Sequence, residues 1–270
     1  MTSLLQQSTV NMTNNTVKYS QEDDWMWYNL YNSQVETLKD KVYESFFELL
    51  NELCLPKDHV PQLHEVSKVL REKSGWTITR VDNLIPYNDF FNLLANKVFP
   101  STTYIRVSGE FSKDPDIFHE LFGHCPMLLN ARYSTFINNV AKFALQCNRL
   151  EQMLLQRFLW YTIEVGLIST DQGLRVYGGA LVSSPKESIY SLVSNTPERK
   201  KLDLLDVFRT PYRADVLQGT YFFVNSFDDL YNEYISLQRI SDLARVAQQL
   251  GEHKAKFEVE YNKYTSVHVL

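Results

Sequence analysis

Asp114-Pro115-Asp116-Ile117-Phe118-His119-Glu120-Leu121-Phe122-Gly123-His124-Cys125-Pro126 brings two imidazoles close together in the chain, with a proline on either side. It reads as the metal end of an active site. Pro115 suits a helix N-terminus, where its missing N–H is not needed, and Asp114 and Asp116 are favourable beside the positive helix end. Pro126 discourages that helix from continuing. His119 and His124 stand at i and i+5, which ideal α-geometry places roughly 140° apart around the axis. The zinc-protease motif H-E-x-x-H uses i and i+4, so its one-face geometry does not transfer. Gly123, lacking a Cβ, lets the chain widen or end a turn just before His124 and swing the ring inward. A buried helix with two hydrogen-bonded histidines accounts for these two residues equally well.

A second stretch, Leu150 to Leu167, shifts the balance: LEQMLLQRFLWYTIEVGL sets Glu164 among Leu159, Trp160, Tyr161, Ile163 and Val165. A carboxylate in such company is expected to be buried, and an unpaired buried charge is too costly to keep. It needs a cation, either an arginine such as Arg157 or a metal. Two neutral histidines and one carboxylate leave three faces of an octahedron open, the arrangement of non-heme Fe(II) oxygenases.

The frame around these stretches is a chain of 270 residues with 44% hydrophobic content, enough to bury a sizeable core. A formal charge of −5 argues against nucleic acid or anionic membrane as principal partner. No apolar run reaches membrane-spanning length and no signal-peptide core is apparent, so the cytoplasm is the expected compartment. Cys54, Cys125 and Cys147 stand at no framework spacing and are expected as reduced thiols. Cys125 abuts His124 and reads as a small packing residue.

Residues 1–18, rich in Gln, Asn, Ser and Thr, read as a mobile polar tail, and residues 19–270 as a single domain, mainly α with minor β. Ser20 with Asp23 resembles a helix start. From there Tyr28, Tyr31, Val35, Leu38, Val42, Phe46, Leu49 and Leu53 predict one long amphipathic helix, its aromatic stripe facing the core. A second helix is expected over Pro61–Lys73, ended by Gly75, then a short strand over Trp76–Val81 and a helix over Asp89–Asn96. Thr102–Val107 is the clearest strand candidate, and it delivers Arg106, whose planar fork suits either a salt bridge or a substrate carboxylate. A small strand is expected at Leu174–Tyr177, and Ser184-Pro185-Lys186-Glu187 forms a capping box. Arg209–Val224 reads as aromatic and irregular, and a long closing helix is expected from Phe227, carrying Leu230, Tyr234, Leu237, Ile240 and Leu243.

With these residues assembled, the sequence resembles the catalytic domain of the pterin-dependent aromatic amino acid hydroxylases in its short bacterial form. The resemblance covers essentially residues 19–250 and rests on LIPYNDFF, TTYIR, DPDIFHELFGHCP, WYTIEVGL and VYGGALVSSPKE, in that order. It implies a helical basket around a non-heme iron, with His119, His124 and Glu164 binding Fe(II). It further implies that Arg106 and Ser183 hold the charged end of the amino-acid substrate while Pro115 and Trp160 wall its ring, with Tyr212 close by. Phe90 would stack on a tetrahydropterin cosubstrate, with Ile85 beside it and Glu120 reaching it through water. The implied reaction hydroxylates L-phenylalanine to L-tyrosine with O2, the pterin leaving in its 4a-hydroxy form; no obligate protein partner is implied.

Two departures from the family pattern touch no ligand: Asp114 stands where glutamate is common, and Gly179-Ala180 inverts the usual order. Ala214 lies near where tyrosine hydroxylases carry an aspartate, which favours phenylalanine over tyrosine. The chain is too short for the regulatory domain of animal relatives, so activation by phenylalanine is not expected. The alternatives are a tryptophan or tyrosine hydroxylase of the same family, a zinc hydrolase using the same ligands with Glu120 as base, and a noncatalytic structural-metal protein with Cys125 as fourth ligand.

Overall fold

The computed structural model describes residues 16–82, 85–107, 115–233 and 237–256. The capping box forms as the sequence predicts: the Ser20 hydroxyl accepts from Asp23 N–H while the Asp23 carboxylate accepts from Ser20 N–H, opening α1 (Gln21–Leu38). The expected single long helix is instead two, because α1 stops and α2 (Phe46–Leu53) begins afresh. Between them Asp40 takes a left-handed φ of 58°. Val176 N–H then donates to Lys41 C=O and Tyr43 N–H to Val176 C=O, both at 2.8 Å. Backbone groups engaged in that bridge are not available to a helical ladder. Tyr31 and Leu38 of the expected stripe are buried, but Tyr28 is 50% exposed and Trp27 takes the inward place at that end of α1.

α3 (Leu63–Ser74) ends on Gly75, whose φ of 76° is the left-handed cap expected of it. β1 (Thr77–Arg80) follows, then α4 (Tyr87–Ala95) and β2 (Val98–Ser101), which pairs in parallel with β1. The strand expected over Thr102–Val107 is absent: β2 lies just before it, and 102–106 run as irregular chain. The polar groups of that segment turn toward the next element, with Tyr104 C=O accepting from Ile117 N–H and Arg106 N–H donating to the Asp116 carboxylate.

α5 (Ala131–Ala144) and α6 (Arg149–Leu159) lead to β3 (Leu167–Thr170) and β4 (Gly173–Val176), an antiparallel hairpin. After the single turn α7 (Gly179–Val182) come α8 (Pro185–Val193), β5 (Glu198–Lys201), α9 (Leu204–Arg209) and β6 (Thr220–Val224). The sheet order is β4-β3-β6-β5, with β6 parallel to both neighbours. Sequence periodicity misses β5, a solvated ERKK, and β6, which lies inside the stretch expected to be irregular. The closing helix is described as α10 (Phe227–Glu233) and α11 (Leu237–Leu250), and Tyr234 lies outside the described residues, as do Asp114 and residues 1–15. The chain before α1 is already tied down at Val17, whose N–H and C=O both bond the Gln62 side chain. No helix of the described residues is long and apolar enough to cross a membrane.

The capping box expected at α8 forms only by half. The Ser184 hydroxyl accepts from Glu187 N–H, but the Glu187 carboxyl turns inward and accepts from the Tyr221 hydroxyl at 2.7 Å, tying α8 to β6. Burial pushes this carboxyl up to about 7, against the hydrogen bonds from Tyr221 and Gln218 N–H. An acid raised in the folded state binds more protons there than when unfolded, so its contribution is intact at low pH and lost as pH rises through about 7. Glu187→Gln is therefore expected to stabilise the protein at pH 8 relative to wild type, by up to roughly 3 kcal/mol, and to do little at pH 5. Urea unfolding of both proteins at the two pH values checks this, and an equal effect at both would refute it.

Candidate metal centre and substrate pocket

The central stretch does not form an α-helix. Residues His119–His124 form a π-helix, followed by a 3-10 turn at Pro126–Leu129 with Pro126 in its first position. Its i→i+5 bonding, as in Cys125 N–H to Glu120 C=O at 3.2 Å, brings position i+5 back over position i. This resolves the spacing: His119 Nε2 and His124 Nε2 lie 3.0 Å apart. The turn containing Gly123 widens as expected, and a Cβ on that glycine would also stand 2.6 Å from Gly179 C=O. Its bareness lets α7 dock on the π-helix. The apolar side of the π-helix is held by aromatic packing, with Phe118 and Phe122 stacked at 4.8 Å and edge contacts to Trp27, Tyr31 and Phe46 from α1 and α2.

The third donor comes from a second π-helix, Trp160–Glu164, which continues α6. The Thr162 hydroxyl donates to Phe158 C=O at 2.7 Å and Val165 N–H to Trp160 C=O at 3.0 Å, so side-chain bonding accompanies the widened turn. Glu164 Oε2 lies 3.1 Å from His124 Nε2 and 3.5 Å from His119 Nε2. Arg157 does not neutralise it, since that guanidinium pairs with Glu252 and donates to Phe208 C=O.

The chemistry of these donors fits a divalent metal. Ser183 Oγ donates to Gly179 C=O at 2.8 Å, so at its 3.0 Å contact with His119 it accepts, and Nδ1 carries the proton. That leaves the Nε2 lone pair aimed at the other two donors, the second-sphere arrangement of a metal-binding histidine. Burial, followed by the neighbouring His124, lowers the His119 imidazole to about 4, which keeps it neutral as a ligand must be. For Glu164 burial acts to raise the carboxyl, but the two histidines outweigh it and hold it below its ordinary value.

Glu120 also falls within the cluster of possible ligands, alongside His119 and His124. Glu164 is the carboxylate that faces both imidazoles, whereas burial and then the charges of Glu164 and Asp116 push the Glu120 carboxyl well up. Cys125 is fully buried, and its thiol is not among the atoms of the possible ligand group that His119, Glu120 and His124 form.

Asp116, expected beside the positive end of the helix, organises the approach to this cluster. Fully buried, it caps the helical run by accepting from His119 N–H at 3.0 Å. It also accepts from Arg106 N–H and Nε, both at 2.9 Å, and from Nη2 at 2.6 Å. Arg106 is therefore salt-bridged along one edge of its fork, with Nη1 reaching Ser183 C=O at 3.4 Å. Trp160 and Tyr212 stack at 4.7 Å with planes 20° apart, beside the π-helix turn that carries Glu164. Pro115 is half-buried, its C=O bonded by Thr102. Phe90 is half-buried on α4 with its edge against Phe91, and Ile85 precedes that helix. α4 packs on β2, whose Phe99 lies 5.2 Å from His124.

A family model described as biopterin-dependent aromatic amino acid hydroxylase matches residues 6–270. Phenylalanine-4-hydroxylase of Pseudomonas aeruginosa is 38% identical over 246 residues, covering 90% of this chain and 93% of that protein. The apo cold-active phenylalanine hydroxylase of Colwellia psychrerythraea superposes with a TM-score of 0.85 at 40% identity, covering 89% of this chain and 94% of that one. The Chromobacterium violaceum phenylalanine hydroxylase with bound iron(III) and 7,8-dihydrobiopterin gives 0.82 at 35% identity, covering 87% and 85%. A structure of the same enzyme with iron and phenylalanine gives 0.81 at 36%, with the same coverage.

Proposed function

Because the chain belongs to the biopterin-dependent aromatic amino acid hydroxylase family, we propose that it is a non-heme Fe(II) monooxygenase converting L-phenylalanine to L-tyrosine with O2 and a tetrahydropterin. The observation that carries this reading is the convergence of His119, His124 and Glu164 within 3.0–3.5 Å of one another, beside an aromatic wall. Iron held there supplies oxygen activation, with the pterin as the source of electrons. The remaining work falls to the side chains.

Ser183 fixes the His119 tautomer, and its second lone pair is left to accept from the substrate ammonium. Asp116 occupies one edge of Arg106, so the outer Nη1 and Nη2 hydrogens are the ones that meet the substrate carboxylate. Trp160, stacked on Tyr212, and Pro115 bound the substrate ring. Phe90 stacks on the pterin with Ile85 beside it, and Glu120 reaches the pterin through water. Ala214 places no carboxylate near a phenolic hydroxyl, which favours phenylalanine over tyrosine. The protein acts in the cytoplasm, in phenylalanine breakdown or tyrosine formation, without an obligate protein partner. Its single domain over 19–270 is supported by one buried core running from Trp27 to Ala247.

The test supplies purified, iron-loaded protein with a tetrahydropterin, O2 and each of phenylalanine, tyrosine and tryptophan. Tyrosine formed from phenylalanine, with matching pterin oxidation, is expected. Product from tryptophan alone would move the assignment to the sister activity, and no pterin-dependent product at all would sink it. Within the same assay Phe90→Ala is expected to raise KM for the pterin about two- to tenfold, the value of a lost stacking contact, while KM for phenylalanine hardly moves. Equal changes in both constants would make Phe90 a packing residue.

A further inference from the structure

Gln34 is a fully buried amide on α1, in a face otherwise made of Trp27, Leu30, Tyr31 and Leu38. Its Nε2 donates to Val182 C=O at 2.6 Å, across 148 residues of sequence, while its Oε1 finds no partner. A half-satisfied buried amide is costly, and a leucine would pack in its place without that cost. What the amide does gain is control of α7. This helix is a single turn, too short to hold itself, and the carbonyls at a helix end have no partner within the helix. Val182 immediately precedes Ser183, the residue whose hydroxyl holds His119 Nδ1.

We infer that Gln34 is a positioning residue for the metal centre: by fixing the last carbonyl of α7 it sets Ser183, and through Ser183 the ring of His119. The inference rests on the reading of His119 as an iron ligand. It adds to the site a residue that touches neither metal nor substrate and that comes from the opposite end of the chain.

The experiment is a double-mutant cycle read by iron affinity, measured anaerobically by competition of Fe(II) between the protein and a chromogenic chelator. Wild type, Gln34→Met, Ser183→Ala and the double variant are compared, with melting of each metal-free protein followed in parallel. Methionine matches the length of glutamine and keeps the packing; Gln34→Leu replaces it if that protein does not accumulate. Gln34→Met is expected to weaken iron binding on the order of tenfold, the lower end for outer-sphere partners of a metal ligand. In the Ser183→Ala background the same change is expected to add less than about twofold, because residues acting through one contact are not additive. A full tenfold loss in both backgrounds, or a lowered melting temperature with unchanged iron affinity, would make Gln34 a structural residue only and overturn the inference. Wild-type protein that binds no iron would overturn the metal reading itself, and this inference with it.

Discussion

Replacing His119 or His124 with alanine is expected to leave a folded protein that retains no stoichiometric iron and makes no tyrosine. The three donors span 3.0–3.5 Å, so removing either imidazole leaves two ligands and no adequate cage. Changes in the outer sphere alone typically cost about 10- to 100-fold in affinity or activity, and loss of a ligand is expected to exceed that range. His119 is the cleaner variant, since its side chain is 13% exposed against 2% for His124. His124 is packed against Phe99 and against the Gly179 backbone, so its removal is expected to lower the melting temperature as well. Glu164→Gln keeps one oxygen donor and should lose less iron. Metal analysis on folded protein, with circular dichroism alongside, decides the matter. Full iron occupancy with normal activity in either alanine variant would end the assignment.

The second large effect is expected at Asp116. In Asp116→Ala the Arg106 guanidinium stays buried without a counter-ion, and His119 N–H loses its cap. Breaking a buried pair from one side costs about 3–5 kcal/mol, which for a chain of this size implies a melting temperature lower by roughly 10 °C. Iron is expected to be lost with it, because the capped N–H belongs to His119, a proposed iron ligand. Arg106→Lys is the informative contrast. Lysine keeps a charge for Asp116 but cannot serve Asp116 and a substrate carboxylate together with one fork. Iron content should hold while kcat/KM for phenylalanine falls about ten- to hundredfold, the value of one charged hydrogen bond. Unchanged phenylalanine kinetics in Arg106→Lys would remove it from the substrate site, and an unshifted melting temperature in Asp116→Ala would refute the buried-pair energetics.

Residue identity and spacing were enough to announce two histidines, a carboxylate among apolar residues and five family motifs in register. They also announced the Ser20 and Gly75 helix boundaries, because caps are local: the side chain that satisfies the helix end lies within a few residues of it. The break between α1 and α2 was not legible, since its cause is a bridge to Val176 more than a hundred residues away. β5 was hidden for the same reason, whereas β6, TYFFV, carries ordinary strand formers that a local reading could have found. A charged ERKK becomes a strand only when TYFFV lies beside it in the sheet.

The sequence by itself determined which atoms could bind a metal and which residues could cap, stack or carry charge, because those are properties of single side chains and near neighbours. Only the tertiary structure decided which of the possible partners each one takes. An i+5 pair of histidines converges because the helix is π rather than α. Glu164 faces those histidines because Arg157 is held by Glu252, and Arg106 is half-occupied because Asp116 lies beneath it. The π-helix turn spans five residues and the Arg106–Asp116 pair ten, whereas Arg157 and Glu252 are distant in sequence and are brought together by the packing of the core.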